Sequence, residues 1–198
     1  MYTFFDTETN GKIAGNYDAP LSIKNISNFP RITQICFQSY TENGELISEF
    51  HSLIKPDGWE VPKEKFFIDN NMSTERCEKE GIPIKDALIL SIVLIRFSTE
   101  YLIAHNMSFD QRVLGAEMIR AKKNLGYVVK KFCTMEAATQ ICKIPRSKYG
   151  TDFKFPKLEE LYFFLFNEKM DGAHDATWDV TATAKCFFEM KKRGLINI

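Results

Sequence analysis

Short apolar runs along the chain predict five β-strands. The first is an aromatic, β-prone run that ends at Asp6, and the pair Asn10 and Gly11 breaks the pattern soon after it. Apolar and polar positions alternate on both sides of a turn in residues 31–55, which is typical of a hairpin. The strands predicted in this way cover residues 2–5, 31–40, 45–55, 101–104 and 127–132.

Apolar positions that recur every three or four residues predict six helices. Ser73 is a residue type that caps helix N-termini, and we expect Gly81 to end the helix that it starts. This order of strands and helices predicts an α/β sandwich with a mixed sheet, built as a single domain over residues 1–198. The predicted helices cover residues 73–80, 85–99, 108–122, 134–142, 157–166 and 175–193, and residues 12–29 and 143–156 are predicted loops.

The composition is that of an ordinary globular protein. Hydrophobic residues make up 44% of the 198 residues and charged residues 26%, so the chain is long and apolar enough to bury a core. The 26 basic and 26 acidic side chains cancel. A protein that grips long duplexes by charge alone is usually basic. We therefore expect any contact with nucleic acid to be short and local.

The cysteines and the N-terminal sequence indicate the compartment. Five cysteines are spread along the chain without close pairs, which disfavours both a disulfide framework and a zinc site. Cys36 and Cys186 lie in apolar segments and are expected to be core thiols. The sequence opens without a signal peptide, and its most apolar stretch, residues 87–97, is too short to span a bilayer. We expect a soluble, cytoplasmic protein without membrane contact.

Two acids lie at the end of the first predicted strand. Asp6 and Glu8 are two positions apart, so their side chains share one face of the strand. An isolated pair of this kind is usually an exposed strand end. In open α/β sheets, however, ligands bind at the carboxyl ends of strands. A divalent cation there would turn the repulsion between the two carboxylates into attraction.

Three further residues carry candidate chemistry. Asp110 falls in the first turn of a predicted helix, where an acid is also favoured by the helix dipole alone. Asp179 shares a helical face with small and apolar residues, which is unusual for an acid that has no partner. His174 lies just before that helix and could equally be a surface histidine.

Taken together, these five residues form a set suited to phosphodiester hydrolysis. Carboxylate oxygens are the ligands that Mg²⁺ prefers in proteins. Two ions about 3.5–4 Å apart can stabilise the attacking and leaving oxygens of an in-line displacement at phosphorus. A histidine can take the proton from the attacking water, because its ordinary pKa lies near the working pH.

The spacing of these residues resembles the three motifs of the DEDDh exonuclease family, the group of the proofreading epsilon subunit of DNA polymerase III. Residues 6–11 resemble the first motif, residues 105–110 the second and residues 174–179 the third. Residues 30–35 resemble the family's second strand, and residues 157–161 resemble the helix before the third motif. The resemblance covers nearly the whole chain, and the three motifs occur in the family's order.

The resemblance implies a ribonuclease H-like fold with a five-stranded mixed sheet flanked by helices. It implies that Asp6, Glu8, Asp110 and Asp179 bind two Mg²⁺ ions, with Mn²⁺ as a substitute, and that His174 is the general base. It also implies a set of substrate-binding residues around the terminal nucleotide. These are Thr7, Thr9, Asn10, Met72, Asn106 and Phe109. Met72 lies in residues 70–73, which match the place of a histidine-containing run near the terminal base in many relatives.

The function expected from the resemblance is 3′→5′ hydrolysis of single-stranded DNA with release of nucleoside 5′-monophosphates. The alternative is an exoribonuclease of the same family that trims RNA 3′ ends, similar to ribonuclease T or oligoribonuclease. A catalytically inactive nucleic-acid-binding module is a third reading, although it would be expected to lack one of the five residues. No segment resembles a polymerase-docking tail or a clamp-binding peptide, so we expect a free-standing enzyme. The lysine-rich residues 143–157 either guide phosphates of the strand or form a solvated loop.

Overall fold

The computed structural model describes residues 1–17, 19–98, 100–123, 129–148, 150–170 and 175–198. The strands are β1 (Tyr2–Thr9), β2 (Ile32–Tyr40), β3 (Leu46–Leu53), β4 (Tyr101–Ala104) and β5 (Lys130–Cys133). The helices are α1 (Lys65–Asp69), α2 (Thr74–Glu80), α3 (Ile84–Ser98), α4 (Met107–Arg120), α5 (Thr134–Cys142), α6 (Leu158–Phe166) and α7 (Ala176–Lys192). A short 3₁₀ helix covers Ile26–Asn28.

The five strands form one mixed sheet in the order β3-β2-β1-β4-β5. β2 runs antiparallel to both β1 and β3, whereas β4 runs parallel to both β1 and β5. This confirms the predicted hairpin and the predicted mixed five-stranded sheet. The first strand differs from the prediction, because β1 continues past Asp6 to Thr9 and pairs with β2 over its whole length. Asp6 and Glu8 are therefore held by the sheet itself.

The two faces of the sheet bury different clusters. Phe4 of β1 packs against α7 through Val180 and Phe187. Phe5, its neighbour, belongs to the cluster on the other face, which includes Leu88 of α3. Because side chains alternate along a strand, Asp6 and Glu8 lie on the same face as Phe4. The face that carries α7 is thus also the face that carries the acidic pair.

Local capping explains the end of one predicted helix. The Ser73 hydroxyl accepts a hydrogen bond from the Arg76 amide at 3.1 Å and caps α2, as predicted. Gly81 ends α2 for a different reason from the one expected, since its backbone is extended with φ −81°. A side chain at this position would place its Cβ 2.8 Å from the Lys55 amide nitrogen. Gly81 therefore allows the backbone to pass close to the end of the β3 segment.

Arginines of α4 hold the long loop between β1 and β2. Glu117, which is 1% exposed, accepts hydrogen bonds from Arg31 at 2.7 Å and from Arg120 at 3.0 Å. Arg112 donates to the Ala19 carbonyl at 2.7 Å, and its guanidinium lies 5.2 Å from the centre of the Tyr17 ring. A buried ion pair of this kind fixes geometry, because leaving one partner alone would be costly. The predicted loop is consequently a fixed wall beside β1.

Several elements differ from the sequence prediction. α1 was not predicted. The fifth strand was predicted over residues 127–132 and is observed at Lys130–Cys133, and residues 127–128 lie outside the described residues. All five cysteines are free, and Cys36 and Cys186 are buried core thiols as expected. Among the described residues, no helix is long and apolar enough to cross a membrane.

Candidate active site

Three of the predicted carboxylates meet at the carboxyl end of β1. Asp6, Glu8 and Asp179 each offer a carboxylate oxygen, and these oxygens all lie within 4.8 Å of one another. β1 supplies Asp6 and Glu8 from one face, and the first turn of α7 supplies Asp179. Strand pleating and helix packing therefore bring together residues that are far apart in the sequence.

Burial and mutual repulsion make the charged form of this cluster unfavourable. Burial raises the pKa of Asp6 well above its ordinary value, and the charges of Asp110 and Glu8 raise it further. Burial also raises the pKa of Glu8 to about 7, with a contribution from the charge of Asp179. A cation among these oxygens would remove the repulsion and favour the ionised carboxylates.

Asp110 is fixed against the neighbouring residue of β1. Its Oδ1 accepts two hydrogen bonds from Thr7, one from the backbone amide at 3.1 Å and one from the hydroxyl at 2.8 Å. Burial raises the pKa of Asp110 to about 7, against the lowering effect of these two hydrogen bonds. The Thr7 amide and hydroxyl are both engaged by Asp110, and the expected contact of Thr7 with a nucleotide stays a prediction. Thr7 anchors the carboxylate of the second motif.

The N-terminus of α7 is tied to the sheet by a buried glutamine. Asp175 caps α7 and accepts from the backbone amides of Thr177 and Trp178. The other oxygen of Asp175 accepts a hydrogen bond from Gln34 Nε2 at 3.0 Å, and Gln34 Oε1 accepts from the Ala176 amide at 3.3 Å. His174, which directly precedes Asp175 in sequence, lies outside the described residues. Gln34 was not singled out from the sequence, since an alternating strand residue carries no signal of this contact.

These contacts lead to a prediction for Gln34. Gln34→Leu keeps the side-chain volume but removes both hydrogen bonds to the start of α7, the helix that carries Asp179. We expect kcat to fall about 10- to 100-fold with little change in KM, because a small misplacement of a catalytic group is costly in rate. Single-turnover hydrolysis of a labelled single-stranded oligonucleotide measures the effect.

Gln38 offers a matched control four residues further along the same strand. It is buried like Gln34 and donates to Thr181, one turn further into α7, at 3.0 Å. Gln38→Leu should lower the melting temperature of the protein as much as Gln34→Leu while leaving kcat within about threefold. Equal losses of kcat in the two variants would show that Gln34 acts only through stability.

A cleft of about 1030 Å³ opens beside the acidic cluster. Glu8 lines it, together with Tyr17 from the loop after β1 and with Phe66 and Phe67 from α1. Phe66 is 42% exposed, which is high for a phenylalanine next to a cleft. The wall formed by α1 was not predicted from the sequence, because α1 is only five residues long and shows no apolar period.

The predicted substrate-binding residues divide into two groups. Four line the cleft, namely Thr9, Asn10, Asn106 and Phe109. The other two do not line it: Thr7 is held by Asp110, and Met72 is 8% exposed and packs in a small apolar cluster with Phe67 and Cys77. The expected base contact of Met72 is therefore corrected: α1, and not Met72, borders the cleft on this side.

Two of the cleft residues also have structural roles. Asn10 Oδ1 accepts a hydrogen bond from the Arg31 amide at 2.8 Å, which joins the end of β1 to the start of β2. Asn106 adopts the left-handed conformation, with φ 82°, immediately before α4. Asparagine tolerates this conformation better than most residues do. The turn lets the chain leave β4 and place Asp110 in the first turn of α4.

The ligand set fits a divalent metal ion. Carboxylate oxygens alone make up the cluster of Asp6, Glu8 and Asp179, and hard oxygen ligands are those that Mg²⁺ and Mn²⁺ prefer. The partly buried carboxylates repel one another, and a bound cation would supply the missing positive charge. Asp110 adds its charge to the environment of Asp6.

Solved structures of exonuclease I resemble this chain closely in fold. The E. coli enzyme in complex with a dA16 oligonucleotide matches with a TM-score of 0.74 and 17% identity, over 97% of this chain and 41% of that chain. The zinc ion bound form of the E. coli enzyme–ssDNA complex matches with a TM-score of 0.73 and 17% identity, over 97% and 40%. The moderately thermophilic exonuclease I from Methylocaldum szegediense matches with a TM-score of 0.72 and 16% identity, over 97% and 40%.

This chain has a ribonuclease H-like fold. It spans about 40% of the length of the exonuclease I chains that it matches. No family model matches the sequence, and no curated protein is significantly similar to it. At this level of identity the comparison shows the architecture, and the chemistry has to be argued from the site.

Proposed function

We propose that this chain is a metal-dependent 3′→5′ exonuclease of the DEDDh type that acts on single-stranded DNA. The observation that carries the proposal is the convergence of carboxylate oxygens of Asp6, Glu8 and Asp179 to within 4.8 Å of one another, next to an open cleft that Glu8 lines. A cluster of partly buried, mutually repelling carboxylates has no stabilising role of its own, so a cation-binding role accounts for it best.

The structural neighbours support the substrate class. E. coli exonuclease I has been solved with single-stranded dA16 and dT13 oligonucleotides and in a zinc-bound form with ssDNA. The cleft beside Glu8 is lined by aromatic rings, among them Phe66 and Phe109, and by polar side chains such as Asn106. Aromatic surface beside polar groups suits a flexible strand whose bases are unpaired. Because the structural neighbours were solved with DNA, we favour DNA over RNA as the strand.

The residues of the site have separate tasks in the proposed reaction. Asp6, Glu8 and Asp179 would hold one divalent ion, and Asp110, fixed by Thr7, would help to hold a second. When bound, such ions stabilise negative charge on the oxygens around phosphorus and lower the pKa of water.

Proton transfer is assigned to His174 by its place in the sequence. It would take the proton of a water that attacks the terminal phosphate. The bond between that phosphorus and the 3′ oxygen of the preceding nucleotide breaks, and a nucleoside 5′-monophosphate leaves.

The test is digestion of 5′-labelled single-stranded DNA and RNA of matched sequence in Mg²⁺, with EDTA as a parallel condition. We expect a ladder that shortens from the 3′ end of the DNA, with digestion abolished by EDTA. Faster loss of the RNA would replace this proposal by the RNA-trimming alternative. Binding of the oligonucleotide without hydrolysis in Mg²⁺ or Mn²⁺ would indicate an inactive binding module.

A further inference from the structure

The lysine-rich segment before α6 is an ordered arm. We define the basic arm as residues 143–157, of which Tyr149 lies outside the described residues. The Lys154 amide donates to the Ile144 carbonyl at 2.9 Å, and the Arg146 amide donates to the Asp152 carbonyl at 2.9 Å. Pro145 and Phe153 form an antiparallel bridge between these two hydrogen bonds. The two sides of the arm thus pair with each other, which was not expected of a solvated loop.

The arm concentrates positive charge in a neutral protein. It contains five basic residues and one acid, which gives a local net charge of +4 in a chain whose formal net charge is 0. Lys154 is paired with Glu160 and Lys157 with Glu159. Lys143 and Arg146 are exposed, and no ion pair involves either of them within the described part of the chain. These two cations remain available to an anionic ligand.

An aromatic ring lies within the same segment. Phe155 is 52% exposed, although the residue after it, Pro156, is buried. An exposed phenylalanine ring does not improve solubility, and exposed apolar surface rimmed by polar residues is a mark of binding sites. Alternating cations and aromatic rings are what proteins use to bind single strands without sequence preference, because phosphates pair with the cations and bases stack on the rings.

A partly buried histidine attaches the arm next to the cleft wall. His105 Nε2 lies 3.0 Å from the Pro156 carbonyl oxygen, and therefore donates to it. Its Nδ1 lies 3.0 Å from the Thr134 hydroxyl, which joins the ends of β4 and β5. Burial lowers the pKa of His105 to about 4, so that the ring is neutral at physiological pH. His105 directly precedes Asn106, a residue of the cleft wall, and so the base of the arm adjoins the cleft.

We propose that the basic arm binds the single strand on the 5′ side of the terminal nucleotide. Phe155 stacks on a base, and Lys143 and Arg146, together with Lys148, contact phosphates. This inference rests on the proposed function for the direction of the strand, but the contact itself does not require hydrolysis. A strand held at the arm would re-enter the cleft after each cleavage, which favours long substrates over short ones.

The experiment compares two triple variants of the full chain. The triple arm variant is K143Q/R146Q/K148Q. A single arm variant, F155A, is measured beside it. The charge-matched control is K79Q/K85Q/K192Q, which removes three exposed lysines from α2, α3 and α7. Binding of a fluorescent 20-nucleotide strand is measured by anisotropy in Ca²⁺ over a series of salt concentrations. Hydrolysis of the 20-nucleotide strand and of a dinucleotide is measured in Mg²⁺.

If the arm binds the strand, its variants should be defective with the 20-mer and normal with the dinucleotide. We expect the triple arm variant to bind the 20-mer about tenfold more weakly and to reduce the slope of log Kd against log salt by about 2, since each phosphate contact contributes about 0.7. F155A should weaken binding about tenfold without changing the salt slope. Hydrolysis of the dinucleotide should remain unchanged in both, and the control triple variant should match the wild type throughout.

Other outcomes would overturn the proposal or separate it from the proposed function. Equal salt slopes for the arm and control variants would show that the arm is a solvated surface. Equal losses on the dinucleotide and the 20-mer would show that the substitutions act on the cleft and not on the strand. If the wild type binds the 20-mer through the arm but hydrolyses nothing, the proposed function fails while the arm stands.

Discussion

Asp6→Asn is expected to lower kcat on single-stranded DNA by roughly 10³-fold or more while leaving the metal-free protein at least as stable as the wild type. The loss in rate follows because Asp6 belongs to the cluster whose oxygens converge within 4.8 Å. The effect on stability has the opposite sign, because the Asp6 carboxylate is partly desolvated and its charge is repelled by those of Asp110 and Glu8. An amide of the same shape removes that repulsion. Single-turnover kinetics and thermal unfolding in EDTA measure the two effects.

Asp86→Asn provides the matched control for this substitution. Asp86 is exposed in the first turn of α3, on a helix that packs against the sheet, and it lies outside the acidic cluster. We expect its replacement to leave kcat within about twofold and the melting temperature within a few degrees, as for most surface substitutions. If Asp6→Asn retained more than about a tenth of wild-type activity, the carboxylate cluster would not be the metal centre.

Stabilisation of the protein by Mg²⁺ should increase steeply between about pH 5 and pH 8. The pKa values of Glu8 and Asp110 are raised to about 7, and that of Asp6 is raised well above its ordinary value. A carboxyl group with a raised folded-state pKa contributes stability below its unfolded pKa, near 4, and loses that contribution as the pH rises through the folded value. The metal-free protein therefore loses stability over this range. Because the ion binds the ionised carboxylates, it restores more stability at high pH than at low pH.

The measurement is the difference between the melting temperature in excess EDTA and that in saturating Mg²⁺, taken at several pH values. The Mg²⁺ concentration is about 100 times the Kd or more. The wild type should show a shift that is small near pH 5 and largest near pH 8, and Asp6→Asn should show little shift at any pH. The same shift at pH 5 and pH 8 would contradict the assignment of Asp6, Glu8 and Asp110 to the metal site.

Strong local signals explain why most elements could be predicted from the sequence. The apolar pattern of β2, which is buried along its whole length, and the apolar period of α3 predicted both elements to within a few residues. The hairpin of β2 and β3 followed from its turn residues. The acidic cluster could also be predicted, since Asp6 and Glu8 share a strand face and three motifs occurred in a known order.

Other features depend on contacts that no local pattern records. α1 is too short to show a period, and so the wall that carries Phe66 was invisible in the sequence. Met72 was assigned to substrate binding by its place in a motif, but in the fold its side chain packs in an apolar cluster with Cys77 of α2. The roles of Thr7 and Gln34 depend on partners 103 and 141 residues away. Long-range hydrogen bonds of this kind become apparent only when the sheet has formed.

The acidic cluster needs residues from both β1 and α7. The proposed nuclease activity can therefore appear only after both have been synthesised and folded. Asp6 is synthesised well before Asp179, and the cluster needs both. With the proposed function, a nascent chain that has not yet folded α7 onto the sheet would be inert toward nucleic acid. Local unfolding of α7 later in the life of the protein would switch hydrolysis off in the same way, without any change at β1.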